Sequence, residues 1–229
     1  MFIDFEGVDG TGKGTLIPLL QDYLVRLGRK VVMAKEPGGT ELGLEIRQLL
    51  FHKITTLNMA PGVCDCLFLA DHLQNVEKII KPALTEVNTD IISDRYAFSQ
   101  FAYSVDREVP PSIDRAYRDL IGPIPDLIFL LTGTAEHLLE RAQGRTTETH
   151  QEGKKWNNAD SQRRIQDQYY RLLINFPQTV IVPTDILKPE EIYERYIQPA
   201  VDKYFSGGIL AGQIGFGITN GQQGKVQIQ

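Results

Sequence analysis

The sequence is poor in cysteine, in long apolar runs and in excess basic charge, and each shortage excludes a class of protein. Its two cysteines, Cys64 and Cys66, are too close together for a disulfide framework and too few for a zinc site. No apolar run approaches the roughly 18 residues of a membrane-spanning helix, and Asp4 argues against a signal peptide at the start. We therefore expect a cytoplasmic protein that does not bind a membrane and whose thiols are reduced and packed.

The charge balance argues against nucleic acid as the main partner. A net charge of −5 and a pI of about 5.4 have the wrong sign for binding a polyanion, although a local positive pocket for small phosphates is compatible with them. Hydrophobic residues make up 42% of the 229 residues, which is enough for one sizeable core. These features predict a single domain that acts on small molecules.

A short apolar strand pattern at residues 2–6 ends in a glycine-rich loop with the spacing Gly7-x-x-x-x-Gly12-Lys13. Glycines at this spacing let successive backbone N–H groups turn toward one phosphate, and the following helix adds its positive N-terminal end. An ordinary turn would also contain glycines. The position of the segment directly after an apolar strand favours the phosphate loop. The segment predicts a site for ATP phosphates formed by Gly7, Val8, Asp9, Gly10, Thr11, Gly12, Lys13, Gly14 and Thr15.

One position of the loop departs from the usual pattern. Gly14 stands where a serine or threonine normally places its hydroxyl on magnesium. Thr15 is the nearest replacement hydroxyl.

The rest of the chain alternates between helical and strand patterns. Helical spacing covers residues 16–27, 42–51, 64–87 with an interruption near Pro82, 163–174 and 189–204. Strand patterns cover residues 30–34, 90–95, 126–131 and 179–182. With residues 2–6, they predict a five-stranded parallel sheet between two helical layers, an α/β/α fold. Because ligands bind outside the carboxyl ends of such strands, Gly7, Glu36 and Arg95 should converge.

Four motifs occur in an order and spacing that resemble the thymidylate kinases. They are Phe5 to Lys13, Glu36-Pro37-Gly38-Gly39-Thr40, Phe68-Leu69-Ala70-Asp71-His72, and Asp94-Arg95-Tyr96 with Ala102-Tyr103. The resemblance covers roughly residues 1–205. It implies a P-loop kinase that moves the γ-phosphoryl group of ATP onto dTMP to give dTDP, with Mg²⁺ as cofactor.

Other functions share parts of these motifs. A kinase for another deoxypyrimidine monophosphate, such as dUMP or a 5-modified dUMP, is the nearest alternative. A catalytically silent nucleotide-binding module is less favoured, because Lys13, Arg95 and lid arginines are all present. A GTP-hydrolysing switch would share the loop, but the sequence has no Asn-Lys-x-Asp motif to bind guanine.

The resemblance also implies roles for charged residues. Lys13 serves the ATP phosphates, Arg95 binds the acceptor phosphate with help from Arg47, and Asp9 accepts the sugar 3′-hydroxyl. Asp94 would hold water on magnesium, with Thr15 as a second metal-binding candidate. A solvated helix position would explain Arg47 without a ligand, and a salt bridge to Arg95 would explain Asp94 without a metal. The substrate-binding residues thus implied are Asp9, Glu36, Pro37, Arg47, Phe68, His72, Arg95, Ser99, Gln100 and Tyr103.

Residues 142–160 lack apolar periodicity and predict a mobile lid. In the family, a catalytic arginine comes either from the phosphate loop or from the lid, and Gly10-Thr11 contains none. Arg141 and Arg145 are therefore the candidates to bring guanidinium charge to the migrating phosphoryl group. A purely solubilising role is the alternative for these charges.

The base pocket departs from the family pattern. Phe68 matches the aromatic residue that stacks on thymine, but His72 stands where the family usually has an arginine that hydrogen-bonds the base. Gln100 matches a polar residue at the base edge, and its amide fits uracil-type rings in general. Ser104 replaces a common glutamine, while Tyr103 keeps the aromatic ring that crowds the sugar 2′ position. We expect preserved deoxyribose preference and softer base discrimination through His72.

Three further expectations concern assembly and the backbone. Family members pair through helices beside the acceptor site, and the apolar run 66–70 predicts a homodimer. The Glu36–Pro37 peptide is predicted to be cis. The tail 206–229, with seven glycines among 24 residues and Lys225 as its one charge, excludes a long helix and lies outside the resemblance.

Overall fold

The computed structural model describes residues 1–53, 56–105, 109–144 and 158–207. Within these ranges one parallel sheet has the strand order β2-β3-β1-β4-β5. Its strands are β1 (Phe2–Glu6), β2 (Lys30–Lys35), β3 (Thr89–Asp94), β4 (Leu127–Thr132) and β5 (Thr179–Pro183). This confirms the predicted five-stranded α/β fold.

The helices connect successive strands and cover both faces of the sheet. Helix α1 starts three residues earlier than predicted, at Lys13, directly after Gly12 in the left-handed conformation. The described helices are α1 (Lys13–Arg26), α2 (Glu41–His52), α3 (Pro61–Asn75), α4 (Lys81–Leu84), α5 (Ala97–Tyr103), α6 (Pro111–Asp119), α7 (Ala135–Gln143), α8 (Ala159–Leu173), α9 (Pro189–Ile192) and α10 (Gln198–Phe205).

Two long helices change type shortly before a proline. Helix α3 continues through the π-helical segment Val76–Ile80 into α4, which contains Pro82, and α9 continues through Tyr193–Ile197 into α10, which contains Pro199. Proline has no N–H for an α-helical hydrogen bond, and a π-helical turn is one way in which a helix accommodates it. The interruption predicted near Pro82 is therefore a local change of winding, and the helix ends at Leu84 rather than at Val87.

The sheet is buried on both faces because its side chains alternate between two apolar clusters. In β4, Leu127, Phe129 and Leu131 pack with residues of α1 and of the C-terminal helices, while Ile128 and Leu130 pack with residues of α5 and α8. Full burial of each such side chain contributes about 1.5–3 kcal/mol to folding. The continuous apolar run of β4 thus produces the three-layer arrangement that the sequence predicts.

The sheet order brings three functional loops to one edge. Strand β1 lies between β3 and β4, so the loops after β1, β2 and β3 leave the sheet side by side. The backbone N–H of Glu36 donates to the carbonyl of Asp94 at 3.1 Å, and that of Arg95 to the carbonyl of Phe5 at 3.1 Å. The Glu36–Pro37 peptide is cis, as predicted.

Neither cysteine forms a disulfide; Cys64 is buried and Cys66 is exposed, so only Cys64 is packed as expected. No helix in the described ranges is both long enough and apolar enough to cross a bilayer. Most of the predicted lid, including Arg145, lies outside the described residues, and so does the tail from residue 208 onward.

Candidate active site

A cavity of about 530 Å³ opens at the carboxyl edge of the sheet. Its lining comes from the loops after β1, β2 and β3 and from helices α1, α2, α3, α5, α6, α7 and α8. The predicted site residues that line it are Val8, Asp9, Gly10, Thr11, Gly12, Lys13, Gly14, Glu36, Pro37, Arg47, Phe68, Asp94, Arg95, Ser99, Gln100 and Tyr103.

The phosphate loop runs too close to neighbouring backbone for side chains at two of its glycines. A Cβ atom on Gly7 would lie 2.4 Å from the carbonyl oxygen of Leu131, and one on Gly10 would lie 2.0 Å from that of Leu138. Both glycines have positive φ, 135° and 86°. Any side chain at position 10 would therefore clash with α7, which lies directly beside the loop.

Lys13 points back across the loop. Its buried Nζ donates to the carbonyl oxygens of Gly7 at 2.7 Å and Val8 at 3.1 Å. Burial, followed by the charge of Arg95, lowers the pKa of Lys13 to about 8. An anion bound in the loop would raise this pKa again, so phosphates beside Lys13 favour its charged form.

Arg95 is the most constrained side chain of the cavity. Its backbone has a φ of 72°, a region that non-glycine residues rarely occupy. One terminal nitrogen donates to the carbonyl of Gly7 at 2.9 Å and to the Tyr169 hydroxyl at 3.1 Å; the other donates to Asp9 at 2.7 Å. The guanidinium also lies over the Tyr103 ring at 5.3 Å. These contacts hold the planar fork at the cavity lining.

A buried network behind Arg95 was not predicted from the sequence. Glu6, fully buried, accepts from the N–H of Tyr96 at 3.0 Å and from the Ser99 hydroxyl at 2.7 Å, and Ser99 lies 2.6 Å from the Tyr169 hydroxyl. Burial raises the pKa of Glu6, while the charge of Arg95 opposes the increase. The spacing of α8 could have indicated Tyr169, because residues 162, 165 and 169 share one helical face. Gln162 and Ile165 of this face line the cavity.

Arg47 supplies a second guanidinium. It donates to the carbonyl of Pro37 at 3.0 Å and lies 4.8 Å over the Phe51 ring. Burial and the charge of Arg95 lower the pKa of Arg47, which means that the two cations repel each other in the absence of an anion. A doubly charged phosphate between them would relieve this repulsion.

The far end of the cavity is aromatic, with Phe68, Tyr103 and Tyr117 in its lining. Gln100 donates from Nε2 to Asp65 at 2.9 Å. Because a carboxylate only accepts hydrogen bonds, this contact fixes the amide so that Oε1 is available to a ligand. The role of Asp65 was not predicted from the sequence. Its position in the apolar stretch 64–70 of α3 could have indicated it, because an acid there is buried and needs a partner.

Comparison with known proteins agrees with this geometry. A profile of the thymidylate kinase family, described as "Thymidylate kinase", matches residues 5–197. The chain belongs to the thymidylate kinase family. It is 42% identical to the thymidylate kinase of Bifidobacterium longum over an alignment of 156 residues. That alignment covers 63% of this chain and 74% of the Bifidobacterium protein.

Two other thymidylate kinases align over more of the chain. The protein of Maridesulfovibrio salexigens is 34% identical over 212 residues, or 89% of this chain and 96% of its own length. The protein of Chlorobaculum tepidum is 32% identical over 208 residues, which are 86% of this chain and 95% of that protein. The similarity to thymidylate kinases therefore extends through the described fold.

His72 is the main departure from the predicted thymidylate kinase site. Its ring is 1% exposed and does not line the cavity; Nδ1 lies 3.0 Å from Oε1 of Glu36. The ring packs between Tyr96 and Tyr117, with centroids 5.0 and 6.0 Å away. The prediction of a direct hydrogen bond from His72 to the base is therefore corrected, because the buried imidazole pairs with Glu36, and Glu36 rather than His72 lines the cavity.

Arg141 is also directed elsewhere. One of its terminal nitrogens donates to the carbonyl of Thr184 at 2.8 Å, so α7 is bound to the loop after β5. Arg141 does not line the cavity, although its neighbours Ala142 and Gln143 do. The structure therefore does not bring Arg141 to the phosphate site, and Arg145 lies outside the described residues.

The residues present fit a magnesium ion that is held mainly by phosphates and water. Within the described ranges, no group of three His, Cys, Asp or Glu residues is arranged to hold a metal. Asp94 has a buried Oδ1 without a hydrogen-bond partner, while its Oδ2 lies 3.4 Å from Lys35 Nζ. The unpartnered Oδ1 can accept a hydrogen bond from a water molecule that is bound to a metal. Thr15 is exposed and does not line the cavity, so the structure does not bring this predicted hydroxyl to Asp94.

Proposed function

We propose that this protein is an ATP-dependent dTMP kinase that produces ADP and dTDP. The observation that supports it most is that Lys13, Arg47 and Arg95 line one cavity in a chain of the thymidylate kinase family. An oxygen of the dTMP phosphate attacks the γ-phosphorus of ATP, and the bond from that phosphorus to the β-bridging oxygen breaks as ADP leaves.

The main barrier is the repulsion between two polyanions that must lie in line. Lys13 holds the ATP phosphates, and the forks of Arg95 and Arg47 hold the acceptor phosphate from the opposite side. Asp9, 2.7 Å from Arg95, is the proposed acceptor for the sugar 3′-hydroxyl. Arg145 is the proposed lid arginine, because Arg141 is bound to the loop after β5.

Magnesium would supply positive charge that offsets the negative charge of the phosphates. Asp94 is the residue proposed to hold it, through water. We also propose a cytosolic location, since ATP and deoxynucleotides are the substrates.

Gln100 and Phe68 define the proposed base site. Oε1 of Gln100 accepts the N3–H of a uracil-type ring, while cytosine presents an acceptor at the same position and is repelled. Phe68 stacks on the base, and Tyr103 crowds the 2′ position of the sugar. A kinase for dUMP or for a 5-modified dUMP is the second candidate, because His72 does not line the cavity and Arg47 and Arg95, the described arginines that do, are assigned to the acceptor phosphate.

A coupled assay of ADP release across nucleoside monophosphates tests this function. We expect turnover with dTMP, and a kcat/KM for dCMP at least about tenfold lower, because one mismatched hydrogen bond changes discrimination by this order. A higher kcat/KM for dUMP or a 5-modified dUMP than for dTMP would favour the second candidate. Absence of ADP with every nucleotide would favour a silent binding module.

We also propose a homodimer through α2 and α3. Leu42, Leu44 and Val63 on these helices are 50%, 55% and 49% exposed, and the two helices pack against each other. Apolar side chains on adjacent helices suit a two-fold contact. Light scattering at micromolar concentration is expected to give twice the mass of one chain, and Leu44→Asp should halve it. A monomeric wild type would contradict the proposal.

A further inference from the structure

Glu36 is a carboxylate at the acceptor end of the cavity whose charge is balanced from behind. Its Oε1 lies 3.0 Å from Nδ1 of His72 and 3.1 Å from Nδ2 of Asn75, and its Oε2 lies 3.1 Å from the same imidazole nitrogen. Glu36 is 9% exposed and His72 1%. Both oxygens of the carboxylate are therefore fixed by side chains of α3.

The same residue begins a short path to the acceptor phosphate site. Glu36 is followed by Pro37, whose carbonyl accepts from Arg47 at 3.0 Å. A change in the position or net charge of Glu36 thus acts on the pocket in two ways, through its own field and through Arg47. An unbalanced carboxylate here would repel a doubly charged nucleotide phosphate.

We propose that charged His72 is a positioning residue that neutralises Glu36 and thereby sets the affinity for the nucleotide acceptor. The proposal rests on the proposed kinase function and deepens it. His72 replaces the expected base contact with an indirect effect, since its ring does not line the cavity.

The surroundings of His72 favour its charged form. Burial lowers the pKa of His72, but the charge of Glu36 and its hydrogen bond to Nδ1 outweigh burial, so the pKa is raised above its ordinary value. The buried Nε2 has no hydrogen-bond partner among the described residues. The rings of Tyr96, directly before α5, and Tyr117 of α6 pack against the imidazole.

Asp4 of β1 also interacts with Glu36, and burial together with the charges of Glu6, Glu36 and Asp94 raises the pKa of Asp4. On the helix of His72, burial raises the pKa of the adjacent Asp71 to about 7.

The sign of the pH dependence follows from these groups. Below its folded-state pKa His72 keeps its proton and balances Glu36; as the pH rises through that value the proton leaves and Glu36 repels the acceptor. We expect the KM for dTMP of the wild type to rise about tenfold across this range, the order expected for one additional charge near a bound dianion. Asp71 and the dTMP phosphate also titrate. The phosphate titrates equally in a variant that changes only His72, but the charge of His72 lowers the pKa of Asp71, so Asp71→Asn is measured beside His72→Asn. Asp71→Asn should keep the rise in KM, and loss of the rise in that variant would assign it to Asp71 and contradict the proposal.

The test compares wild type, His72→Asn and His52→Gln between pH 6 and 9. Asparagine keeps an N–H donor at the same branch position and removes the charge, while His52 is an exposed histidine that serves as the matched control. At pH 6 we expect His72→Asn to have a higher KM for dTMP than the wild type. As the pH rises, its KM should increase much less than that of the wild type, and its kcat should change little. His52→Gln should follow the wild type.

Calorimetry of dTMP binding in the absence of ATP, together with the kinase assay, tests the role of His72 separately from the proposed kinase function. If the wild type phosphorylates dTMP but its KM and dissociation constant are independent of pH, or if His72→Asn reproduces the wild-type curves, the inference is wrong and the proposed function stands. If no nucleotide yields ADP, the proposed function is wrong. If His72→Asn fails to fold, which its melting temperature would report, His72→Gln replaces it in the same comparison, because glutamine also keeps an N–H donor and carries no charge.

Discussion

Lys13→Ala will lower kcat for dTMP phosphorylation by at least about a hundredfold, the usual size of the effect when a preorganised charge on a reacting group is removed. Lys13 is the one lysine that donates into the phosphate loop among the described contacts, at 2.7 and 3.1 Å from two loop carbonyls. Its charge is expected to follow the migrating phosphoryl group, and no other described side chain of the loop offers a cation.

The fold should survive this change, because the strand before the loop and the helix after it are held by the apolar core. The measurements are kcat in the ADP-release assay and the thermal unfolding midpoint. Lys30→Ala is the control, since Lys30 lies at the start of β2, is 60% exposed and pairs with Glu86. Activity of Lys13→Ala within about tenfold of the wild type would contradict the assignment of the phosphate site.

Gly10→Ala should lower both stability and activity. The added methyl group would lie 2.0 Å from the carbonyl oxygen of Leu138, and alanine would have to adopt a φ of 86°. Strain and overpacking of this kind cost about 1–3 kcal/mol each. Helix α7 must shift to relieve the contact, and α7 contributes Ala142 and Gln143 to the cavity. We expect kcat/KM to fall at least about tenfold, as geometry at the reacting centre is lost.

The matched control is Gly62→Ala in α3, where the nearest atom to the new Cβ would lie 3.7 Å away, an ordinary contact. Gly62→Ala should leave the unfolding midpoint unchanged or slightly higher, because alanine favours helix more than glycine does. Equal unfolding midpoints and equal kcat/KM for Gly10→Ala and wild type would show that the loop and α7 are not in the described contact.

The sequence predicted best where local pattern alone determines structure. The apolar run of β4 is a strand buried on both faces, as predicted, because such a parallel strand requires apolar residues on both sides. The glycine spacing after β1 and the helical period of α1 were also predicted, although β1 itself contains the buried carboxylates Asp4 and Glu6. The convergence of the three functional loops follows from the topology of such a sheet.

The sequence predicted poorly where side-chain direction depends on distant partners. His72 stands in a motif that suggests a base contact, but Glu36, 36 positions earlier, attracts its ring. Arg141 has the position of a lid arginine, but carbonyls more than 40 positions away bind it. Asp65 and Tyr169 were missed for the same reason, since each acts through a hydrogen bond to a residue of another element.

The contacts of Arg95 have a consequence for the entropy of binding. An arginine that is free in solution loses much of its rotamer freedom when it closes on a phosphate, at about 0.5–1.5 kcal/mol for each side chain that becomes immobilised. Arg95 is already fixed by Gly7, Ser99, Tyr169 and Asp9 before any ligand arrives. That ordering occurs during folding, so the acceptor meets a rigid receptor. Loosening Tyr169, which does not line the cavity, would weaken binding without removing a side chain of the cavity lining.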